Sequence, residues 1–403
     1  MSSRRDRLAS KLRYARRLSS AMTTYLDNAA TTMPVPEVIE AVAQTMRDHF
    51  ANPPSLHGLG AAAARALARA REQVAALIHA EPDEVIFTGS GTEANALGFL
   101  GAARIARGRH VVVSSIEHAA VYQSARKLAT EGWKMGEVAP AKDGCITVDA
   151  VLAAIRPDTS VVAIMLVNNE IGSLQPVADI ARALRGLGQR IHFHVDAVQF
   201  AGLVPVDVRT KGADSIAISA HKLHGPKGVG ALWLRKGKNV AALYGGGGQE
   251  RDLRSGTENL PACIGFALAA GIAFKERDAG ARVAQLRDRL EDLIFQELPQ
   301  LQPAVPRSTA RAPHISSILL PGLPAEPVLH ALEARSVFAS EGAACSSRAR
   351  EQSRILRALG VPTSTGSVRF SLSRLTTAEH VEHAAASLVA SVAEIARAVR
   401  GGR

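Results

Sequence analysis

From about residue 85 the chain alternates short β-branched runs with helix-length stretches, and this alternation limits the fold more than any other feature. Val85-Ile86-Phe87 leads into a helix from Thr92, and the run from His110 to Val113 precedes a helix over about 119–130. Ser160 to Val167 reads as a strongly apolar strand, followed by a helix near 177–187. Segments 191–195, 215–218 and 230–234 complete the set. Strands separated by helices return to a mostly parallel sheet, so the fold class is α/β and active-site residues are expected at the carboxyl ends of strands. The glycine run Gly245 to Gly248 and the RSGTEN segment interrupt the pattern, and beyond Pro261 the helices lengthen. In the last one Val381, Leu388, Val392, Ile395 and Val399 recur at helical spacing, so one face packs inward. The expected organisation is a basic extension over 1–22, a large unit over 23–260 whose first residues can pack with the smaller one, and a smaller α+β unit over 261–403.

A chain of 403 residues suits two domains. Mean hydropathy is close to zero, and no apolar run approaches the ~20 residues that span a bilayer, so a soluble globular enzyme is expected. Three cysteines, Cys145, Cys263 and Cys345, lie far apart without metal-type spacing. That argues for a reducing, cytoplasmic location and against a disulfide framework or zinc site. A net charge of +11 would raise nucleic acid as a partner, but residues 1–22 hold seven basic side chains against Asp6, a net +6. The rest has no long basic stripe, which weighs against nucleic acid. The extension resembles a transit peptide in composition; the alternatives are a disordered tail, or an upstream start with Met22 as the true beginning. The last is favoured because Met22 stands directly before TTYLDNAATT.

Several strand-end loops carry chemistry. SAHKLHGPKGVG (219–230) follows a buried-looking strand and presents Lys222 among small residues, where an amine can form a Schiff base with a cofactor carbonyl. FTGSGTEAN (87–95) opens a helix, and the amides around Gly91 and Thr92 offer a phosphate seat; an ordinary capped helix is the alternative. In IHFHVDAVQ (191–199), His192, His194 and Asp196 alternate onto one strand face. They admit a metal, although no further His, Cys or Asp cluster shares the segment. Asp196 alone suits a carboxylate that keeps a pyridine nitrogen protonated, with Gln199 at the ring's phenolic oxygen. A satisfied core Asp remains the alternative. In SSIEHAAVY (114–122) His118 can stack on a planar ring and move protons, or simply cap the helix. In VNNEIG (167–172) both Asn168 and Asn169 suit hydrogen bonding to a ring substituent. Taken in order, these loops would supply the parts of a pyridoxal phosphate site.

YLDNAATT (25–32), NPPSLHGLG (52–60), EHAAV (117–121), NNEIG (168–172), HVDAVQ (194–199), the Lys222 segment, GGGQERDLRSGTEN (246–259), SEGAACSS (340–347) and VRFSLSRLTT (368–377) follow one another in order. Together they resemble the pyridoxal-phosphate-dependent cysteine desulfurases of the NifS/IscS type, in the class V aminotransferase family. The resemblance runs from about Thr24 to the C-terminal helix. It implies a fold-type-I enzyme with a mostly parallel seven-stranded sheet, acting as a homodimer. It also implies that Lys222 holds the cofactor, Asp196 partners the pyridine nitrogen, and His118 stacks over the ring. Gln199 and Asn169 would surround the ring hydroxyl, with Asn169 also near substrate, while Thr92, Ser219 and His221 bind the phosphate. Thr257 would reach the phosphate of the neighbouring subunit, and Arg369 would bind the substrate carboxylate, a bidentate task suited to arginine.

Cys345 matches the family's sulfur-accepting cysteine. Its neighbours Ser340, Gly342, Ala343, Ala344, Ser346 and Ser347 suit a mobile loop that carries sulfur out of the site. Glu341 and Ala343 depart from the family pattern, and an acid near the thiol would raise its pKa and slow attack. TGSGTEANA departs from the usual TSGATESNN, small residue for small residue. The implied activity is conversion of L-cysteine to L-alanine with a persulfide on Cys345, passed to an iron–sulfur scaffold or a sulfur carrier. A selenocysteine lyase of the same fold and a non-catalytic sulfur-assembly partner are the rival readings.

Overall fold

The computed structural model describes residues 23–342 and 352–401, the side chains of 399–401 excepted. The chain enters as a two-residue strand, β1 (Thr24–Tyr25), and continues through helices Pro36–Asp48 and Gly58–Leu77. Seven strands follow: β2 (Val85–Thr88), β3 (His110–Ser114), β4 (Lys134–Val138), β5 (Thr159–Ala163), β6 (His192–Asp196), β7 (Ser215–Ser219) and β8 (Gly230–Leu234). They form one sheet in the order β2-β8-β7-β6-β5-β3-β4. The neighbours from β7 across to β4 are parallel, while β8 runs antiparallel to both β7 and β2. The expected mostly parallel seven-stranded α/β sheet is therefore present.

The inverted strand has a simple cause. The link between β7 and β8 holds no crossover helix, so β8 can only turn back beside its predecessor. That link carries Lys222. Gly230 lets β8 start tightly against the turn before helix Gly91–Ile105, since a Cβ there would lie 2.6 Å from the carbonyl carbon of Ser90.

Two sequence expectations need correction. The strand read over 160–167 ends at Ala163, where the ladder with β3 stops. Beyond it the chain keeps only its β6 side, through Ile164 N to His194 O and Leu166 N to Asp196 O, before Val167 pairs back with Leu174. β4 was not foreseen. Its Lys134-Met-Gly-Glu-Val run lacks apolar alternation because it lies on the sheet edge, where charge is favoured.

Helix Leu260–Lys275 packs into the core of this sheet, where Phe266 meets Phe87 edge to face at 6.4 Å. Helix Ala279–Glu297 begins a second core. Strands β9 (Gln302–Pro303), β10 (Ile315–Leu320), β11 (Val337–Phe338) and β12 (Gly366–Ser371) follow, with β10 between β9 and β12 in an antiparallel sheet. Helix Ala378–Gly401 buries the expected face, Val381, Leu388 and Val392, in the same core as Ile318, Val368 and Phe370. β11 pairs in parallel with β1, and Leu26 next to β1 is fully buried in this second core.

The loop after β8 contains three successive non-glycine residues with left-handed backbone, Glu250, Arg251 and Asp252 (φ 47°, 60° and 62°). Such residues cost roughly 1–2 kcal/mol each. The turn is held by the buried Glu250 carboxylate, which accepts both Arg71 Nη groups at 2.6 Å and the Phe87 amide at 2.8 Å. Glu250→Ala should cost about 3–5 kcal/mol in urea unfolding, because Arg71 and the Phe87 amide lose their acceptor inside the protein. A loss below about 1 kcal/mol would contradict this role.

Candidate active site

The carboxyl ends of β2, β3, β5, β6 and β7 open into one cavity of about 780 Å³. It brings together Gly91, Thr92, His118, Asn169, Asp196, Gln199, His221, Lys222 and Arg369, as the sequence anticipated. Three anticipated residues are not among its lining. Ser219 lies immediately behind Gly91, Thr257 is exposed elsewhere on this chain, and Cys345 lies outside the described residues.

Asp196 ends β6 and is almost fully buried. One oxygen accepts from Asn95 Nδ2 at 2.8 Å and the other from the Val198 amide at 2.9 Å. Burial pushes its pKa up; His118, the Val198 amide, Asn95 and the Lys222 charge pull it back. His194, on the same face, spends its ring nitrogens on Asn95 and Ser215, and burial drives its pKa down to about 3, so it is neutral. The His-x-His-x-Asp pattern is thus taken up by hydrogen bonds within the protein.

Lys222 sits in a 3₁₀ turn directly after β7. Its ammonium donates to the carbonyl oxygen of Ala29 and, at 2.7 Å, to that of Ala30. Gln199 Nε2 also donates to Ala29 O at 2.8 Å. The N-terminal DNAATT stretch therefore crosses the lysine. Thr32 fastens it by donating to His221 O and accepting from the His224 amide.

Helix Gly91–Ile105 begins after Ser90, whose side chain accepts from the Glu93 amide. The first-turn amides have no intrahelical acceptor and form the positive end of the helix dipole. Glu93 is tied back to the Gly89 amide and Arg254, which partly neutralises its charge. Gly91 cannot carry a Cβ, which would lie 2.7 Å from Val198 Cγ2 and 3.1 Å from Ser219 Cβ. Nearby, the His221 imidazole meets Thr31 Oγ1 at 3.1 Å, and burial pushes it down to about 4. Both features suit an anion seat that relies on neutral donors and backbone amides.

His118 caps helix Ala119–Thr130, its Nδ1 accepting from the Ala120 amide at 3.1 Å. Of the two asparagines, Asn168 is consumed by its own loop. It donates to Ile116 O and accepts the Glu170 and Ile171 amides, so the reading of both as ring ligands is corrected. Asn169 Oδ1, Gln199 Oε1 and Ser219 Oγ are buried without a hydrogen-bond partner. Arg369, on β12, reaches the cavity from the second sheet. It donates to Asp27 Oδ1 and Asn169 O at 2.7 Å and to Gly342 O at 3.2 Å, and its buried Nε has no partner.

This donor set fits pyridoxal phosphate. A helix N-terminus closed by a glycine that excludes a side chain, with the orphaned Ser219 hydroxyl behind it, suits the phosphate. Orphaned amide oxygens suit a ring hydroxyl, a buried carboxylate suits a pyridinium, and a buried lysine suits an aldehyde. Sequence reasoning missed Asn95, Asp27 and Glu117. Asn95 lies one turn after Thr92 on the same helix, and Asp27 and Glu117 stand inside quoted motifs, so each had a positional signal without an assigned partner.

Glu117 is wholly buried at the cavity wall. Its Oε1 accepts Ser114 Oγ at 2.5 Å and the Met165 amide at 2.8 Å, and Oε2 has no partner. Burial raises its pKa from 4.5 to about 8. A carboxyl raised in the fold contributes stability fully below its unfolded pKa, and that contribution is lost as pH climbs through the folded value. Thermal midpoints measured between pH 4.5 and 9 should fall more steeply in wild type than in Glu117→Gln. Parallel curves would contradict this environment for Glu117.

The family model Aminotransferase class-V matches residues 24–383. A cysteine desulfurase of Trichormus azollae is 38% identical over 363 residues, 89% of this chain and 90% of that one. A cysteine desulfurase of Cereibacter sphaeroides is 41% identical over 363 residues, 89% and 92% of the two chains. A solved NifS-like protein superposes with a TM-score of 0.85 at 31% identity, covering 92% of this chain and all of the other. The chain belongs to the class-V aminotransferase family.

Proposed function

We propose that this chain removes sulfur from L-cysteine, releasing L-alanine and leaving a persulfide on Cys345, with pyridoxal phosphate as cofactor. The observation that carries the reading is the pairing of buried Lys222 and buried Asp196 in one cavity with an anion seat. Relatives named cysteine desulfurase support it along most of the chain.

When bound, the cofactor supplies a carbonyl that captures the substrate amine and a ring that accepts the electron pair left at Cα. Asp196 would hold the proton on the ring nitrogen, with Gln199 and Asn169 at the ring hydroxyl. The amides of Gly91 and Thr92, the Thr92 and Ser219 hydroxyls and His221 would hold the phosphate. Arg369 binds the substrate carboxylate, its guanidinium oriented by Asp27. The Lys222 amine would take the Cα proton of the substrate. His118 takes the proton of the substrate thiol. The Cys345 thiolate would then attack the substrate sulfur: the S–S bond forms as the C–S bond breaks, its electron pair stays with the substrate carbons, Cβ takes the proton held by His118 and Cα the one held by Lys222, and alanine leaves. The persulfide passes to an acceptor protein, an iron–sulfur scaffold or a sulfur carrier, in a reducing cytoplasm.

Homodimerisation belongs to the same reading. Met33, Ile39, Met46, Phe50, Leu56 and Leu59 are large apolar side chains exposed within one short stretch, and they suit burial against a second copy. Exposed Thr257 would then reach the partner's phosphate seat.

Alanine formation from L-cysteine with a thiol reductant tests the reading. Lys222→Ala and Cys345→Ala should each lose at least about 100-fold relative to wild type. Unchanged turnover in Lys222→Ala would refute the cofactor lysine, and unchanged turnover in Cys345→Ala would refute the sulfur acceptor.

A further inference from the structure

His192, His194 and Asp196 share one face of β6, and Ser215 on β7 stands level with His194. Four hydrogen bonds join them end to end. His192 Nε2 lies 2.8 Å from Ser215 Oγ, and Ser215 Oγ lies 2.8 Å from His194 Nδ1. His194 Nε2 lies 2.9 Å from Asn95 Oδ1, and Asn95 Nδ2 lies 2.8 Å from Asp196 Oδ2.

The direction of every bond follows from the carboxylate end. An ionised Asp196 only accepts, so Asn95 must turn its NH₂ toward it and its oxygen toward His194. His194 must then carry its proton on Nε2, leaving Nδ1 to accept. The Ser215 hydroxyl is the donor that Nδ1 requires, and its own lone pair accepts the Nε2–H of His192. Each donor in the chain therefore points toward Asp196. The helix above is shaped for this arrangement. Gly98, one turn beyond Asn95, faces the imidazole, and a Cβ there would lie 2.6 Å from both Cε1 and Nδ1 of His194.

We propose that His194, backed by Ser215 and His192, is a positioning residue for the cofactor: the oriented chain locks the Asn95 amide and holds Asp196 ionised against the pyridine nitrogen. The proposal rests on the pyridoxal phosphate reading above. If His194 took the Nδ1–H tautomer, Asn95 would lose its donor and be free to turn its oxygen toward a buried carboxylate, a repulsive contact in a dry site. The other ionisable groups that act on Asp196 or feel its charge, His118, Lys222 and Glu117, stand on separate elements and lie outside the chain of bonds.

Ser215→Ala, Asn95→Ala and the double variant, each as holoenzyme, test it. Ser215→Ala is expected to weaken pyridoxal phosphate binding and lower kcat by about tenfold each, with KM for L-cysteine within about twofold. The pH titration of the cofactor's visible band should shift as well. In the Asn95→Ala background Ser215→Ala should add nothing, because the link it acts through is gone. Wild-type affinity and titration in Ser215→Ala, or losses that add in the double variant, would overturn the proposal. Nitrogen-15 shifts of the histidine rings, read without cofactor, give a separate test. They should show Nε2–H at His194 in wild type and a tautomer mixture in Ser215→Ala; Nδ1–H in wild type would overturn it. A protein that bound no pyridoxal phosphate would defeat the functional reading and leave the oriented chain to be decided by that spectrum.

Discussion

A carboxylate buried at the end of β6 sets the terms for what surrounds it. Stripping water from an isolated charge costs several kcal/mol, so Asp196 survives only with dedicated partners. The chain supplies an amide from the tight turn at Val198, an asparagine from the neighbouring helix, and a lysine from the next strand end. The lysine poses the mirror-image problem and is met by two backbone carbonyls. The proposed cofactor would answer both, its pyridinium facing the Asp196 carboxylate and its aldehyde taking up the Lys222 amine.

The stretch from Thr24 to Thr32 ties this cavity to the second sheet. β1 pairs with β11, Leu26 sits in the second core, Asp27 holds Arg369, Ala29 and Ala30 hold Lys222, and Thr32 holds His221 and His224. Arg369 in turn bonds the carbonyl of Gly342, and its backbone bridges Ser340, at the threshold of the segment that contains Cys345. The guanidinium proposed to bind the substrate carboxylate is thus tethered to the root of the segment proposed to accept its sulfur.

Much of this was legible in the sequence. β-branched runs marked six strands of the main sheet because their residues are nearly all buried, those of the edge strand β2 included. β4 escaped because an edge strand need not be apolar, and the strand at 160–167 was read too long because an apolar stretch does not reveal where its neighbour ends. Lys222, Asp196, His118 and Gln199 stood out because strand-end loops advertise chemistry, and all four line the cavity. Asn168 was misread beside Asn169, since two adjacent asparagines look alike until one is seen folding its own loop. Asn95 and Glu117 stayed hidden for a different reason: their meaning lies in partners some 50 to 100 residues away, which only the folded sheet brings near.

The most direct test of the central claim is a single turnover of the pyridoxal-phosphate-loaded protein with L-cysteine and no reductant, followed by mass spectrometry of its peptides alongside alanine determination. The account predicts one sulfur atom gained on the peptide containing Cys345 for each alanine released. Alanine released with the sulfur lost as free sulfide and Cys345 unmodified, or no alanine at all, would contradict it.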